Sequence, residues 1–132
     1  MKFEDWIKEV PEDVLNDPLW KFETYRKALF LSDLAWFDCG KMMKDERGKA
    51  IAQQLSRSAG SVAANIEEGY SRGYGKDYAR FLRIALGSAR ESRGWYYRGR
   101  HLLGQEVVTH RCFLLRDIIS GLIQTATKQK NL

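Results

Sequence analysis

The sequence predicts an all-α fold, an up-down-up-down antiparallel four-helix bundle with a short N-terminal extension. Apolar residues recur every three or four positions over four long stretches, and no segment shows the alternation of a β-strand. Short turns separate the stretches, which favours antiparallel packing of consecutive helices. The 132 residues are 44% hydrophobic and include only two prolines, so the chain can bury one core and is not a disordered protein.

Residues 1–18 are predicted to form an acidic N-terminal extension. They contain six acidic residues and two lysines. Their apolar residues fall at helical spacing: Phe3, Trp6, Ile7 and Val10. We expect a short amphipathic turn that docks on the bundle before Pro11 ends it.

The first long helix is predicted to open at Asp17 and Pro18, a typical N-cap residue followed by a proline in the first helical position. It should run to about Lys44. Its inward stripe is predicted as Leu19, Phe22, Tyr25, Arg26, Leu29, Phe30, Asp33, Leu34 and Phe37. Asp33 is an irregularity, because it is a charged residue within an apolar stripe.

The second helix is predicted from about Arg47 to Arg72, with small residues among its core positions. Its stripe is Ile51, Leu55, Ser58, Val62, Ile66 and Tyr70. After it, Gly73 and Gly75 allow positive φ, which suits a tight turn between two helices.

The third and fourth helices are predicted from Lys76 to about Leu103 and from about Glu106 to Lys128. The core stripe of the third is predicted as Tyr78, Phe81, Ala85, Ser88, Ser92, Trp95, Gly99 and Leu102. Leu82, Leu86 and Ala89 fall outside this stripe, so we expect them to be exposed on a monomer and to form an oligomer interface. The bundle domain would span residues 19–128, followed by a tail at 129–132.

The predicted third helix has seven basic and two acidic residues, so its net charge of +5 equals that of the whole chain. Five of its basic residues fall within an arc of about 80° opposite the core stripe. These five, here called the basic stripe, are Lys76, Arg80, Arg83, Arg90 and Arg98, with Arg93 and Arg100 on its flank. Such a surface predicts nucleic-acid binding through phosphates. The alternative is that it is only the solvent-exposed face of an amphipathic helix.

Candidate chemistry is sparse elsewhere in the sequence. The two histidines, His101 and His110, lack the Glu-x-x-His pairs of a bundle metal site, so we expect no metal or other cofactor. Cys39 and Cys112 are read as buried free thiols, which points to a reducing, cytoplasmic compartment. No stretch is apolar enough to predict a transmembrane helix.

Three polar residues, Asn65, Glu68 and Glu91, could suggest acid-base catalysis. We favour structural pairing instead, because arginines are abundant nearby, and Glu68 should pair with Arg57 or Arg72. The protein is therefore predicted not to be an enzyme.

Two segments resemble a known family. The first has Asn65, Ile66, Glu68, Gly69 and Arg72, and the second has Arg80, Phe81, Leu82, Ala85, Gly87, Ser88 and Glu91. Together they resemble the bacterial four-helix-bundle family of the 23S rRNA intervening-sequence proteins, related to the accessory variability determinant of diversity-generating retroelements. The resemblance covers about residues 17–126.

The resemblance implies a non-enzymatic homopentamer with a basic surface, which in some relatives binds RNA or a reverse transcriptase. It also implies that the shared positions are structural: Arg57, Asn65, Glu68, Gly69, Arg72, Phe81, Gly87, Ser88 and Glu91. Our leading hypothesis is an oligomer that binds RNA or other nucleic acid through the third helix. The alternative is a protein-interaction scaffold such as a reverse-transcriptase accessory protein.

Overall fold

The computed structural model describes the whole chain, Met1–Leu132, and it is helical without any β-strand. The all-α prediction is confirmed. In chain order the α-helices are α1 Phe3–Ile7, α2 Glu12–Leu15, α3 Glu23–Met42, α4 Glu46–Tyr70, α5 Lys76–Arg98, α6 Arg100–Leu103 and α7 Gln105–Lys130, with a 3-10 turn at Pro18–Lys21 before α3. None of these helices is both long and apolar enough to cross a lipid bilayer.

The four long helices α3, α4, α5 and α7 enclose one core. Where two of them are linked by hydrogen bonds, later residues of one helix contact earlier residues of the other. Ser88 on α5 bonds to Ser61 on α4, whereas Ser92, one turn later, bonds to the earlier Ser58. The pairs that link α3 to α4 and α3 to α7 reverse in the same way: Tyr25 with Glu67, Cys39 with Ala52, Lys27 with Asp117, and Asp38 with Arg111. Adjacent helices are therefore antiparallel, and α5 lies diagonally across the core from α3.

Asp17 caps the 3-10 turn rather than the first long helix. Its Oδ1 accepts a hydrogen bond of 2.9 Å from the backbone N–H of Leu19. Phe22 is extended, with φ −79° and ψ 104°, and α3 begins only after it. The predicted helix start was wrong by about one turn, because a proline in the first helical position suits a short 3-10 turn as well as a long helix.

The N-terminal segment is anchored on the bundle by Trp6, which is only 4% exposed. Its indole packs against Phe30 and Leu34 of α3, and its Nε1 donates a 2.6 Å hydrogen bond to Asp33 Oδ2. This contact explains the charged residue in the α3 stripe. Asp33 stands beside the core to accept the tryptophan N–H, which would otherwise lose its partner on burial.

The inward face of α5 differs from the predicted stripe. Tyr78, Ala85 and Ser92 are buried as predicted, but Leu82 and Ala89 are fully buried and Leu86 is 8% exposed. The prediction that these last three residues are exposed on a monomer, and for that reason form an oligomer interface, is wrong. Because Ser88 and Ser92 contact α4, the leucines complete the side of α5 that packs toward α7. Of the other predicted core positions, Phe81, Ser88 and Trp95 are half-buried and Leu102 is exposed.

A buried polar cluster joins three helices, and nothing in the sequence had pointed to it. Asp38 on α3, 1% exposed, accepts hydrogen bonds from Arg111 Nε at 2.8 Å and Nη2 at 3.0 Å. It also accepts one from the Tyr96 hydroxyl at 2.7 Å. Burial, reinforced by the neighbouring Asp38, raises the pKa of Tyr96 far above its ordinary value, so Tyr96 remains a hydrogen-bond donor.

Candidate nucleic-acid interface

All seven predicted binding residues are exposed. Six lie on α5 itself, whereas Arg100 lies on α6, beyond the break at Gly99. The stripe from Lys76 to Arg98 follows the outer side of α5 for about 33 Å at a rise of 1.5 Å per residue. The five residues of the basic stripe are therefore all exposed along α5.

Most of this positive charge has no acidic partner within the chain. Lys76, Arg83, Arg90 and Arg93 make no ion pair, and Arg80 alone among the seven does, with Asp77 Oδ1 at 3.1 Å. That pair is exposed, so solvent screens it and it contributes little to stability. The surface consequently presents uncompensated positive charge to a ligand.

Several arginines here lie over aromatic rings. The guanidinium carbon of Arg80 is 4.4 Å from the centre of the Phe81 ring, and that of Arg98 is 4.6 Å from the centre of the Trp95 ring. Arg100 lies 4.1 Å from the centre of the Tyr97 ring and also donates to the Tyr97 carbonyl at 3.1 Å. Cation–π contacts of this kind restrict the guanidinium orientation without neutralising its charge.

A shallow depression near the start of α5 gathers four basic side chains. Lys76, Arg80 and Arg83 line it together with Lys130 from the end of α7. Lys130 was not among the predicted binding residues. In an antiparallel bundle the end of the fourth helix returns to the start of the third, so the topology, together with the lysines near the chain terminus, could have indicated it.

The polar residues of the two family segments all have side-chain partners. Asn65 Nδ2 donates to Ser61 Oγ at 2.9 Å, and Glu68 accepts from Arg72 at 3.1 Å, one of its two predicted partners. Glu91 accepts from Trp95 Nε1 at 2.9 Å and forms an ion pair with Arg57. The second predicted partner of Glu68, Arg57, thus belongs to Glu91 instead.

The glycines of the two segments differ in their surroundings. A Cβ built on Gly69 would lie 2.6 Å from Cβ of Phe81, so this glycine allows α4 and α5 to approach closely. Gly87 lies on the exposed side of α5 with nothing within 4 Å of such a Cβ. The structural role predicted for Gly87 therefore has no counterpart within the single chain.

The remaining reactive groups do not converge on a second site. The chain contains no group of three or more His, Cys, Asp or Glu side chains placed to hold a metal ion. Burial raises the pKa of the Cys39 thiol to about 11, and the thiol donates to the Ala52 carbonyl. Cys112 is half-buried rather than buried as predicted.

The fold and this surface define a class: a small helical-bundle protein whose third long helix presents arginines along its outer side. A family model described as 23S rRNA-intervening sequence protein matches residues 21–108, two thirds of the chain. The chain belongs to this family, as its two segments indicated. No curated protein matches it. The relation to retroelement accessory proteins stays a prediction.

Proposed function

We propose that this protein is a non-enzymatic oligomer that binds RNA through the basic stripe of α5. The observation that carries the proposal is the row of exposed arginines without acidic partners, Arg83 and Arg90 above all. The family description, which names the 23S rRNA intervening sequence, supports RNA as the polyanion. Both cysteines are free, and this supports a cytoplasmic location.

The chemistry of arginine favours phosphate as the contacted group. A guanidinium offers two parallel N–H donors to a phosphate, and it stays charged at any physiological pH. Gly87 leaves open space between the arginines on the outer side of α5, where a larger side chain would hold a phosphate backbone away. The expected binding is therefore strong at low salt and weakens as the salt concentration rises, because releasing each counterion into a more concentrated solution is less favourable.

Self-association is proposed through a surface other than the one predicted from the sequence. Trp36 on α3 is 76% exposed, and Met43, the residue that follows the end of α3, is 50% exposed. They flank a groove that Gly40 and Ala52 also line. Large exposed apolar side chains favour burial against another protein surface. Since α5 lies diagonally across the core from α3, association here would leave the basic stripe free. Five subunits is the number that the family resemblance implies.

The test is a double variant in which Arg83 and Arg90 are both changed to glutamate. Neither arginine makes an ion pair, so the double variant should keep its helicity and melting temperature. We expect RNA affinity to fall by at least tenfold and the slope of log K against log salt to flatten by about two, one per lost phosphate contact. Filter binding over a range of salt concentrations measures both quantities.

A matched control reverses the same number of charges elsewhere. Lys2 and Lys21 are exposed residues near the N-terminus, and changing both to glutamate alters net charge equally. This control should retain most RNA binding. Equal losses in the two variants would mean that net charge alone matters. Unaltered binding by the folded α5 variant would reject the stripe and favour the scaffold alternative.

A further inference from the structure

We propose that the basic stripe recognises unpaired RNA, with Tyr74 and Tyr97 serving as stacking platforms for bases at its two ends. This inference rests on the proposed RNA-binding function and adds the form of RNA that fits. The two residues are 23 positions apart in the sequence, and most of α5 lies between them. The arginines that would hold the phosphates lie between them.

Tyr74 occupies a position where the fold itself does not need an aromatic residue. It is 82% exposed in the turn between α4 and α5, and both of its neighbours, Gly73 and Gly75, have positive φ. Its ring packs against no other aromatic ring, and its hydroxyl makes no hydrogen bond within the chain. Lys76, the first residue of the stripe, follows two positions later. A large flat ring is thus presented to solvent beside the phosphate-binding charges.

Tyr97 lies near the other end of the basic stripe, and an arginine already stacks on one side of its ring. It is 57% exposed, and Arg100 covers one side of the ring at 4.1 Å. It follows Arg93 by four residues and Arg90 by seven, so it shares their side of the helix. A base that stacks on the open side of the ring would complete an arginine–tyrosine–base stack while its phosphate meets these arginines.

The guanidinium groups between the two tyrosines are also arranged as flat surfaces. Arg80 lies over Phe81, and Arg98 lies over Trp95. Arginine planes and aromatic rings are the groups on which proteins stack unpaired bases. Electrostatic binding of phosphates would require neither the rings beneath these arginines nor the two exposed tyrosines.

A duplex would not make use of this arrangement. In A-form RNA the base faces are stacked on one another, and the outer surface consists of phosphates and 2′-hydroxyls. The arginines could hold such a duplex, but the tyrosines would have nothing to stack on. The difference predicts a preference for single strands, and the preference should depend on the two tyrosines.

The experiment compares the full-length protein with its Tyr74→Ala and Tyr97→Ala variants. The probes are a short unstructured RNA with a fluorescent label and the blunt duplex that it forms with its complement. We expect the protein to prefer the single strand by at least tenfold. Each alanine should weaken single-strand binding about tenfold and leave duplex binding unchanged. Tyr74→Phe and Tyr97→Phe keep the ring and should bind as the unchanged protein does.

The outcomes separate this inference from the proposed function. If single-strand and duplex RNA bind equally and the alanine variants bind normally, the stacking inference is overturned while RNA binding stands. The same conclusion follows if alanine weakens both probes equally. If neither probe binds, the proposed function fails and the inference with it. Circular dichroism of each variant verifies the fold, which both exposed positions should leave intact.

Discussion

Asp38 is a buried acidic residue that depends on hydrogen-bond donors and a counterion from other helices. Its carboxylate is buried among three helices and accepts hydrogen bonds from Arg111 and Tyr96. A buried charge is tolerated only while it is paired, since removal of the partner leaves an unsolvated ion. Arg111 should therefore matter far more to stability than any surface arginine of this protein.

Replacing Arg111 with alanine should lower the free energy of unfolding by about 3–5 kcal/mol, because it leaves the Asp38 carboxylate buried without its counterion. Urea denaturation measures the loss. Lys27→Ala is the comparison, since its partners Glu23 and Asp117 are mostly exposed and the loss should stay below about 1 kcal/mol. Similar losses in the two variants would contradict the role assigned to Asp38.

This cluster could not be predicted from the sequence, whereas the pairing of Glu68 with Arg72 could. Glu68 and Arg72 are four residues apart on one helix, a spacing that places side chains side by side. Asp38 and Arg111 are 73 residues apart and meet only when α3 packs on α7. An isolated charge on an amphipathic helix looks like a solvent-facing residue until its neighbours are known.

Among the elements, α4 and α5 share the most extensive contact, and small residues line it. Ser58, Ser61, Ser88 and Ser92 bond across their contact, and Gly69 accepts Phe81 against its backbone. The small serine side chains let the two helices pack closely, and their hydroxyl groups form hydrogen bonds of 2.8–2.9 Å between them. The small residues at predicted core positions of these two helices thus lie where α4 and α5 contact each other.

Gly69→Ala should destabilise the protein by about 1–3 kcal/mol, because the new Cβ would overlap Cβ of Phe81, which cannot move without moving α5. Gly87→Ala is the matched control. Its Cβ would enter open space on the same helix pair, so the higher helix propensity of alanine should stabilise by about 0.5–1 kcal/mol. Thermal unfolding of both variants tests the contrast, and a shift of the same sign in both would contradict this description of the contact between α4 and α5.

The spacing of residues in α5 predicted a helix but did not identify which of its faces is buried. Two heptad patterns share Tyr78, Ala85 and Ser92; one adds Phe81 and Trp95, and the other adds Leu82, Ala89 and Tyr96. Spacing alone does not distinguish them, because they differ by one residue, or 100° of helix rotation. The predicted stripe was the first pattern, whereas the structure buries the second. The rings of Phe81 and Trp95 lie at the bundle edge, where they support Arg80 and Arg98.

At the scale of the whole molecule, the basic stripe and the exposed Trp36 lie on different helices. The acidic N-terminal segment docks through Trp6 against α3, and the exposed Trp36 lies further along that helix. The basic stripe lies on α5, diagonally across the core. One side of the bundle is thus suited to a polyanion and the other to a protein surface, so the two proposed activities do not compete for the same residues.

The native mass tests the proposed assembly. We expect light scattering at micromolar concentration to give a mass near five chains. Trp36→Ser should lower this mass without loss of helicity, because an indole that is 76% exposed contributes little to the fold of the single chain. Trp36→Phe keeps an apolar ring and should retain the mass. Leu86→Glu should behave differently: Leu86 lies in the core, so the introduced charge is expected to unfold the chain rather than separate folded subunits. A monomeric unchanged protein would reject the assembly, and a folded, dissociated Leu86→Glu variant would return the interface to α5.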